Sequence, residues 1–121
     1  MALEKPMITL DFDGVVHSYT SGWQGATEIP DLPVDGAQAF IEAALKQFRI
    51  SIYSQRSQQK GGIIAMKQWF AYRMNEDIAA ALSFPTEKPL CLVTIDDRVI
   101  QFQGYWPKLD DIANFKSWLD W

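Results

Sequence analysis

The chain has 121 residues, the length of one domain by the usual allotment of about 100–200 residues each. Apolar residues at 48% and charged residues at 21% exclude a disordered chain, and a net charge of −4 excludes a global basic field for holding nucleic acid. One cysteine and one histidine exclude a disulfide framework, a cysteine-rich zinc site and multi-histidine metal motifs. No apolar run approaches the ~20 residues of a membrane helix, and the run before Asp11 is too short for a signal-peptide core. The expectation is a single cytoplasmic domain over 1–121 with no membrane partner.

In chain order, Met7-Ile8-Thr9-Leu10 reads as a short buried strand that stops at Asp11. A long loop comes next, with Gly14, Gly22, Gly25, Pro30 and Pro33. From Ala37 the residues Ala37, Phe40, Ile41, Ala44, Leu45 and Phe48 form one helical stripe of about four turns. Asp35 is placed to be its N-cap, with Lys46 and Arg49 near its C-terminal dipole. Ile50-Ser51-Ile52-Tyr53 is a second strand by its β-branched and aromatic content. Gly61 opens a second helix with Ile63, Met66, Phe70 and Met74 on one face. Cys91-Leu92-Val93-Thr94-Ile95 reads as a third buried strand carrying an inert thiol. Leu109, Ile112, Phe115 and Leu119 suggest a terminal helix, and Trp106, Trp118 and Trp121 read as packing or an oligomer contact.

Strands alternating with helices predict an α/β fold, a doubly wound, Rossmann-like parallel sheet with helices on both faces. Such sheets collect ligands outside the carboxyl ends of their strands. Here those ends carry Asp11-Phe12-Asp13-Gly14, Ser54-Gln55-Arg56 and Asp96-Asp97-Arg98. Carboxylates crowded at one edge of a sheet repel one another unless a cation or a shared proton relieves them. A hard divalent ion with oxygen ligands, magnesium in a cell, does so most simply.

Asp11-Phe12-Asp13-Gly14-Val15, then Ser54, then Lys88, then Asp96-Asp97 resembles, in order and spacing, the motif set of the haloacid dehalogenase-like phosphohydrolase superfamily. The resemblance implies that Asp11 is a nucleophile that forms an aspartyl-phosphate. It implies that Asp13 protonates the leaving oxygen and then activates water. Ser54 would bond the transferring phosphoryl group and Lys88 would neutralise charge, with Lys60 its competitor for that role. Asp96 and Asp97 would hold Mg2+ with Asp11 and the backbone carbonyl of Asp13. Asp13 favours phosphohydrolase or phosphotransferase chemistry over dehalogenation. Response-regulator receiver domains share the residue types, but their acidic pair comes early, whereas Asp96-Asp97 comes late.

Gly14, Gln55 and Arg56, beside the nucleophile and the hydroxyl, are the candidate substrate-binding residues. Lys46, Arg49, Arg56, Lys60, Lys67 and Arg73 are basic in a stretch without acids, and Arg56 and Lys60 fall nearest Ser54, at a helix start suited to anions. Residues 15–33 are expected to form the mobile flap such proteins carry, with His17, Tyr19 and Trp23 in it. Trp23 reads as loop packing, and His17 as a base is redundant with Asp13. Neither Asp11–Ser54 nor Ser54–Lys88 leaves room for a cap domain, so only this loop can cover the site. The substrate expected is a phosphate at an accessible end, on a nucleic acid or a phosphoprotein, or on a nucleotide. Two other functions share these residues: a non-catalytic phosphate- or nucleotide-binding module, and a phosphotransferase.

Overall fold

The computed structural model describes residues 4–121; residues 1–3, included in the single-domain expectation, lie outside the described residues. Three strands form one parallel sheet, with β1 (Met7–Leu10) between β2 (Arg49–Ile52) and β3 (Val93–Ile95). The register sets Ile8 beside Ile50 and Val93, and Leu10 beside Ile52 and Ile95. The pairing runs one step further, Asp11 N–H to the Ile95 carbonyl at 2.9 Å and Tyr53 N–H to the Leu10 carbonyl at 3.1 Å. All three strands therefore end at one level, and their exit loops emerge side by side.

Helices α1 (Ala37–Ala44), α2 (Gly62–Arg73) and α3 (Glu76–Ala81) supply the other half of the core. Ile41 of α1, Met66, Trp69 and Phe70 of α2 and Ile78 of α3 are buried with Ile8, Leu10, Phe12, Ile50 and Ile52. Each such side chain contributes about 1.5–3 kcal/mol on leaving water. Phe12, directly after β1, meets Trp69 edge-on at 5.0 Å and Phe70 at 5.7 Å. That contact ties the aspartates on either side of Phe12 to a rigid helix. The fold is thus a small α/β arrangement on a parallel sheet, and no helix among the described residues is long and apolar enough to cross a membrane.

Several elements differ from expectation. Gly36, not Asp35, precedes α1, in a left-handed conformation (φ 84°) that favours glycine. The helix ends at Ala44, and Leu45 and Phe48 reach the core from the turn beyond it. The single helix expected between β2 and β3 is two, because Asn75 caps a new start: its Oδ1 accepts the Ile78 N–H at 2.8 Å, with Glu76 and Asp77 in the first turn. The third strand is shorter than expected and is not buried. β3 is an edge strand, with Val93 51% and Ile95 40% exposed. Cys91 is half-buried, its Sγ 3.5 Å from the Thr94 hydroxyl. The terminal helix is confined to α4 (Leu109–Ala113), where no residue is buried, and a separate 3-10 turn, Trp118–Asp120, closes the chain.

Candidate active site

Asp11, Asp96 and Asp97 each bring a carboxylate oxygen within 4.8 Å of the others. The register of β1 and β3 places them so, since the two strands end together. The Asp11 carboxyl is pushed from 3.8 up to about 8. Burial is the largest cause, followed by the Asp96 charge, with Asp97 adding to both and the Phe12 backbone N–H opposing. Three hard oxygen donors on one spot, one of them unwilling to ionise without relief, suit a divalent cation such as magnesium. The Asp13 carboxylate lies outside this triad.

Gly14 packs closely against Asp97 and is not among the residues that line the cleft described below. Its φ is 81°, and a Cβ there would collide with the Asp97 carboxylate. Gly14→Ala is expected to lower stability by about 1–3 kcal/mol through strain and displacement of Asp97, read as an earlier urea midpoint; an unchanged midpoint would remove this account. The Gly14 carbonyl accepts the Trp118 indole N–H at 2.7 Å, so the last turn of the chain docks on the first motif. Trp106, Trp118 and Trp121 are all exposed, and Trp118 touches the first motif only through its indole N–H.

A cleft of about 540 Å³ opens over the triad, lined among others by Asp11, Asp13, Ser54, Gln55 and Asp97. Ser54 Oγ caps the short 3-10 turn Gln55–Gln58, accepting the Arg56 N–H at 3.0 Å, and Ser54 is nearly buried. Its hydroxyl hydrogen is donated to the Met66 sulfur at 3.7 Å, a weak bond that a stronger acceptor in the cleft would replace. Gln55 is exposed on the rim.

Arg56 departs from its expected role. It is fully buried and does not line the cleft, its donors being committed to Asp13 and to loop carbonyls. Lys88 does not reach the cleft either. It is exposed ahead of β3, and its charge assists the nearby Thr9 and Thr94 hydroxyls in lowering the Cys91 thiol. Lys60 lines a separate groove with Gly61, Ile64 and Glu87. Among the described residues the cation that lines the cleft is Arg98, its backbone N–H on Asp96 Oδ1 at 2.9 Å and its guanidinium 5.6 Å from the Phe115 ring. Arg98 is visible in the sequence as the residue after the acidic pair.

The loop 15–33 is fastened rather than loose. Ser21 bonds the Asp31 carboxylate through N–H and Oγ at 2.8 and 2.6 Å, and the Trp69 indole N–H bonds the Asp31 carbonyl at 3.0 Å. Tyr19 has φ 61°, rare outside glycine, and its side chain lines the cleft. Burial first, then the Asp13 charge, push its phenol upward, which keeps it a neutral donor. Trp23, 43% exposed, stacks at 4.7 Å on the Arg56 guanidinium and borders the cleft. His17 is buried against Asp13 and touches no open space, so it is no candidate base.

Comparison with protein-family models, with curated proteins and with solved structures returned no match.

Proposed function

We propose that the protein is a magnesium-dependent phosphomonoester hydrolase of the haloacid dehalogenase-like kind, built on a doubly wound, Rossmann-like sheet and working through an aspartyl-phosphate. The observation that carries this reading is the meeting of Asp11 with Asp96 and Asp97 at one sheet edge, with the Ser54 hydroxyl on the same cleft. Magnesium held there would offset the triad's charge and that of the phosphoryl oxygens. Asp11 Oδ attacks phosphorus and the bond to the leaving oxygen breaks, the departing alkoxide taking the Asp13 proton. Water then gives a proton to Asp13 and attacks the phosphorus, and the bond to Asp11 breaks, restoring its carboxylate. Ser54 Oγ–H and the Arg98 guanidinium steady the equatorial oxygens, Arg98 taking the part that the sequence assigned to Lys88.

The cleft also supports a substrate class. Only α1 and β2 lie between Asp11 and Ser54, and only a 3-10 turn, α2 and α3 between Ser54 and Lys88, so no cap is inserted in either interval, while Ser117, Leu119 and Asp120 line the cleft from the C-terminal segment. An open site with Tyr19 and Trp23 at its border suits a phosphate presented on a nucleic-acid end or a nucleotide, whose base can lie on an aromatic face.

The test is a phosphatase panel with and without magnesium. A generic aryl phosphate should be hydrolysed with magnesium and not in EDTA, and phosphorylated oligonucleotide ends should exceed free hexose phosphates in kcat/KM. Undiminished turnover in chelator would remove the metal from the reading. A hexose phosphate that outperforms every nucleic-acid substrate tenfold would remove the substrate class.

A further inference from the structure

Asp13 is held by two side chains that have no surface of their own. His17 and Arg56 are both fully buried. His17 Nδ1 lies 2.8 Å from Asp13 Oδ1, while its Nε2 accepts the Asp31 backbone N–H at 3.1 Å. A ring nitrogen that accepts carries no proton, so this bond places the ring hydrogen on Nδ1, donated to Asp13, with the Asp31 Oδ2 a further 3.5 Å neighbour of Nε2. Arg56 grips the same carboxylate as a fork, Nε to Oδ2 at 2.9 Å and Nη2 to Oδ1 at 3.1 Å, with Nε also 3.2 Å from Oδ1. Its Nη1 donates to the carbonyls of Gly25, Ala26 and Glu28 at 2.8, 2.9 and 3.2 Å. The guanidinium also lies between the Phe12 and Trp23 rings, 5.9 and 4.7 Å from their centroids.

A buried guanidinium is costly unless its partners are well placed. A solvated turn aspartate would need neither it nor the histidine. The donors are also distributed unevenly: Oδ1 receives His17 and both Arg56 nitrogens, whereas Oδ2 receives Nε alone. We propose that His17 and Arg56 are positioning residues that hold the Asp13 carboxyl in one orientation at the cleft, with the pose of Arg56 set in turn by the Gly25–Glu28 segment. This rests on Asp13 being the acid–base group of the hydrolase proposed above. In the first half-reaction the carboxyl so oriented protonates the departing alkoxide; in the second it takes the proton of the attacking water. His17 and Arg56 gain and lose no proton in either.

The experiment compares two esters by kcat/KM, which covers events through departure of the leaving group. An alkyl phosphate needs a proton from Asp13; 2,4-dinitrophenyl phosphate, with a stable leaving anion, does not. In His17→Ala and Arg56→Lys the alkyl-to-aryl ratio of kcat/KM is expected to fall about tenfold to a hundredfold, within what a general acid contributes. His17→Asn, whose side-chain N–H can stand where Nδ1–H does, should recover most of that ratio. Equal losses on both esters would overturn the positioning role and leave the hydrolase reading in place. A wild-type protein that hydrolyses neither ester with magnesium would instead overturn the hydrolase reading and the role that depends on it. Folding of the variants is not required for the remaining measurement, because His17 is the chain's one histidine. Its 15N spectrum in the wild-type protein should report hydrogen on Nδ1, and a proton on Nε2 in its place would overturn the proposal.

Discussion

Asp11→Asn is expected to lower kcat by at least ~10³-fold, the scale on which loss of a nucleophile is felt. The amide keeps the shape of the carboxylate but not its capacity to attack phosphorus, so binding should survive better than turnover. Two quantities should move in opposite directions. Asp11 is forced against Asp96 and Asp97, and removing its charge relieves that crowding in the metal-free protein. The variant should therefore unfold at higher urea than the wild type in EDTA at pH 8.5 while being inactive with magnesium. More than a tenth of the wild-type kcat remaining would exclude Asp11 as the nucleophile.

The same carboxyl gives a pH dependence of defined sign. Its ordinary value is 3.8 and its value in the folded protein is about 8. Between these values the folded protein holds a proton that the unfolded chain has released, so stability falls as pH rises. The contribution is fully present below 3.8 and is lost as pH passes through about 8. Because other carboxylates titrate in the acid range, the wild-type curve is best read against Asp11→Asn. The difference between their urea midpoints should widen to the disadvantage of the wild type from pH 5 to pH 8.5 in EDTA. Millimolar magnesium should narrow it, since a cation among the oxygens removes the reason for Asp11 to stay protonated. A difference independent of pH would show that Asp11 ionises normally.

The first two strands are legible because burial writes itself into short apolar runs. Met7–Leu10 and the stretch around Ile50–Ile52 appear where the pattern predicts, in parallel, with polar groups at their ends. The convergence of Asp11 with Asp96 and Asp97 results from that register. The features that escape the sequence depend on partners far away in the chain. Arg56 looks like a loop cation ready for an anion until the Gly25, Ala26 and Glu28 carbonyls are seen around it. Nothing in the neighbourhood of Lys88 announces that it is not among the residues lining the cleft. Trp118 has no local reason to find Gly14, 104 residues away. The helix expected through Leu119 fails for a different reason: an apolar stripe forms a lasting helix only against a facing layer, and α4 has no buried residue. The capping signal of α3, by contrast, stands plainly at Asn75-Glu76-Asp77 and is masked only by the longer stripe before it.

The docking of Trp118 on Gly14 also has a consequence for the order of synthesis. β1 and its aspartates leave the ribosome well ahead of Asp96 and Asp97, and the indole that fastens the first motif follows later still. A nascent chain can bury Phe12 against Trp69 and Phe70 as soon as α2 is made, so the scaffold matures ahead of the cleft. Translation that stalls short of residue 96 would yield a partly packed product in which Asp11 lacks the two carboxylates it meets in the full fold. The triad is thereby assembled only after Asp97 has been made, a delay that arises from chain order alone.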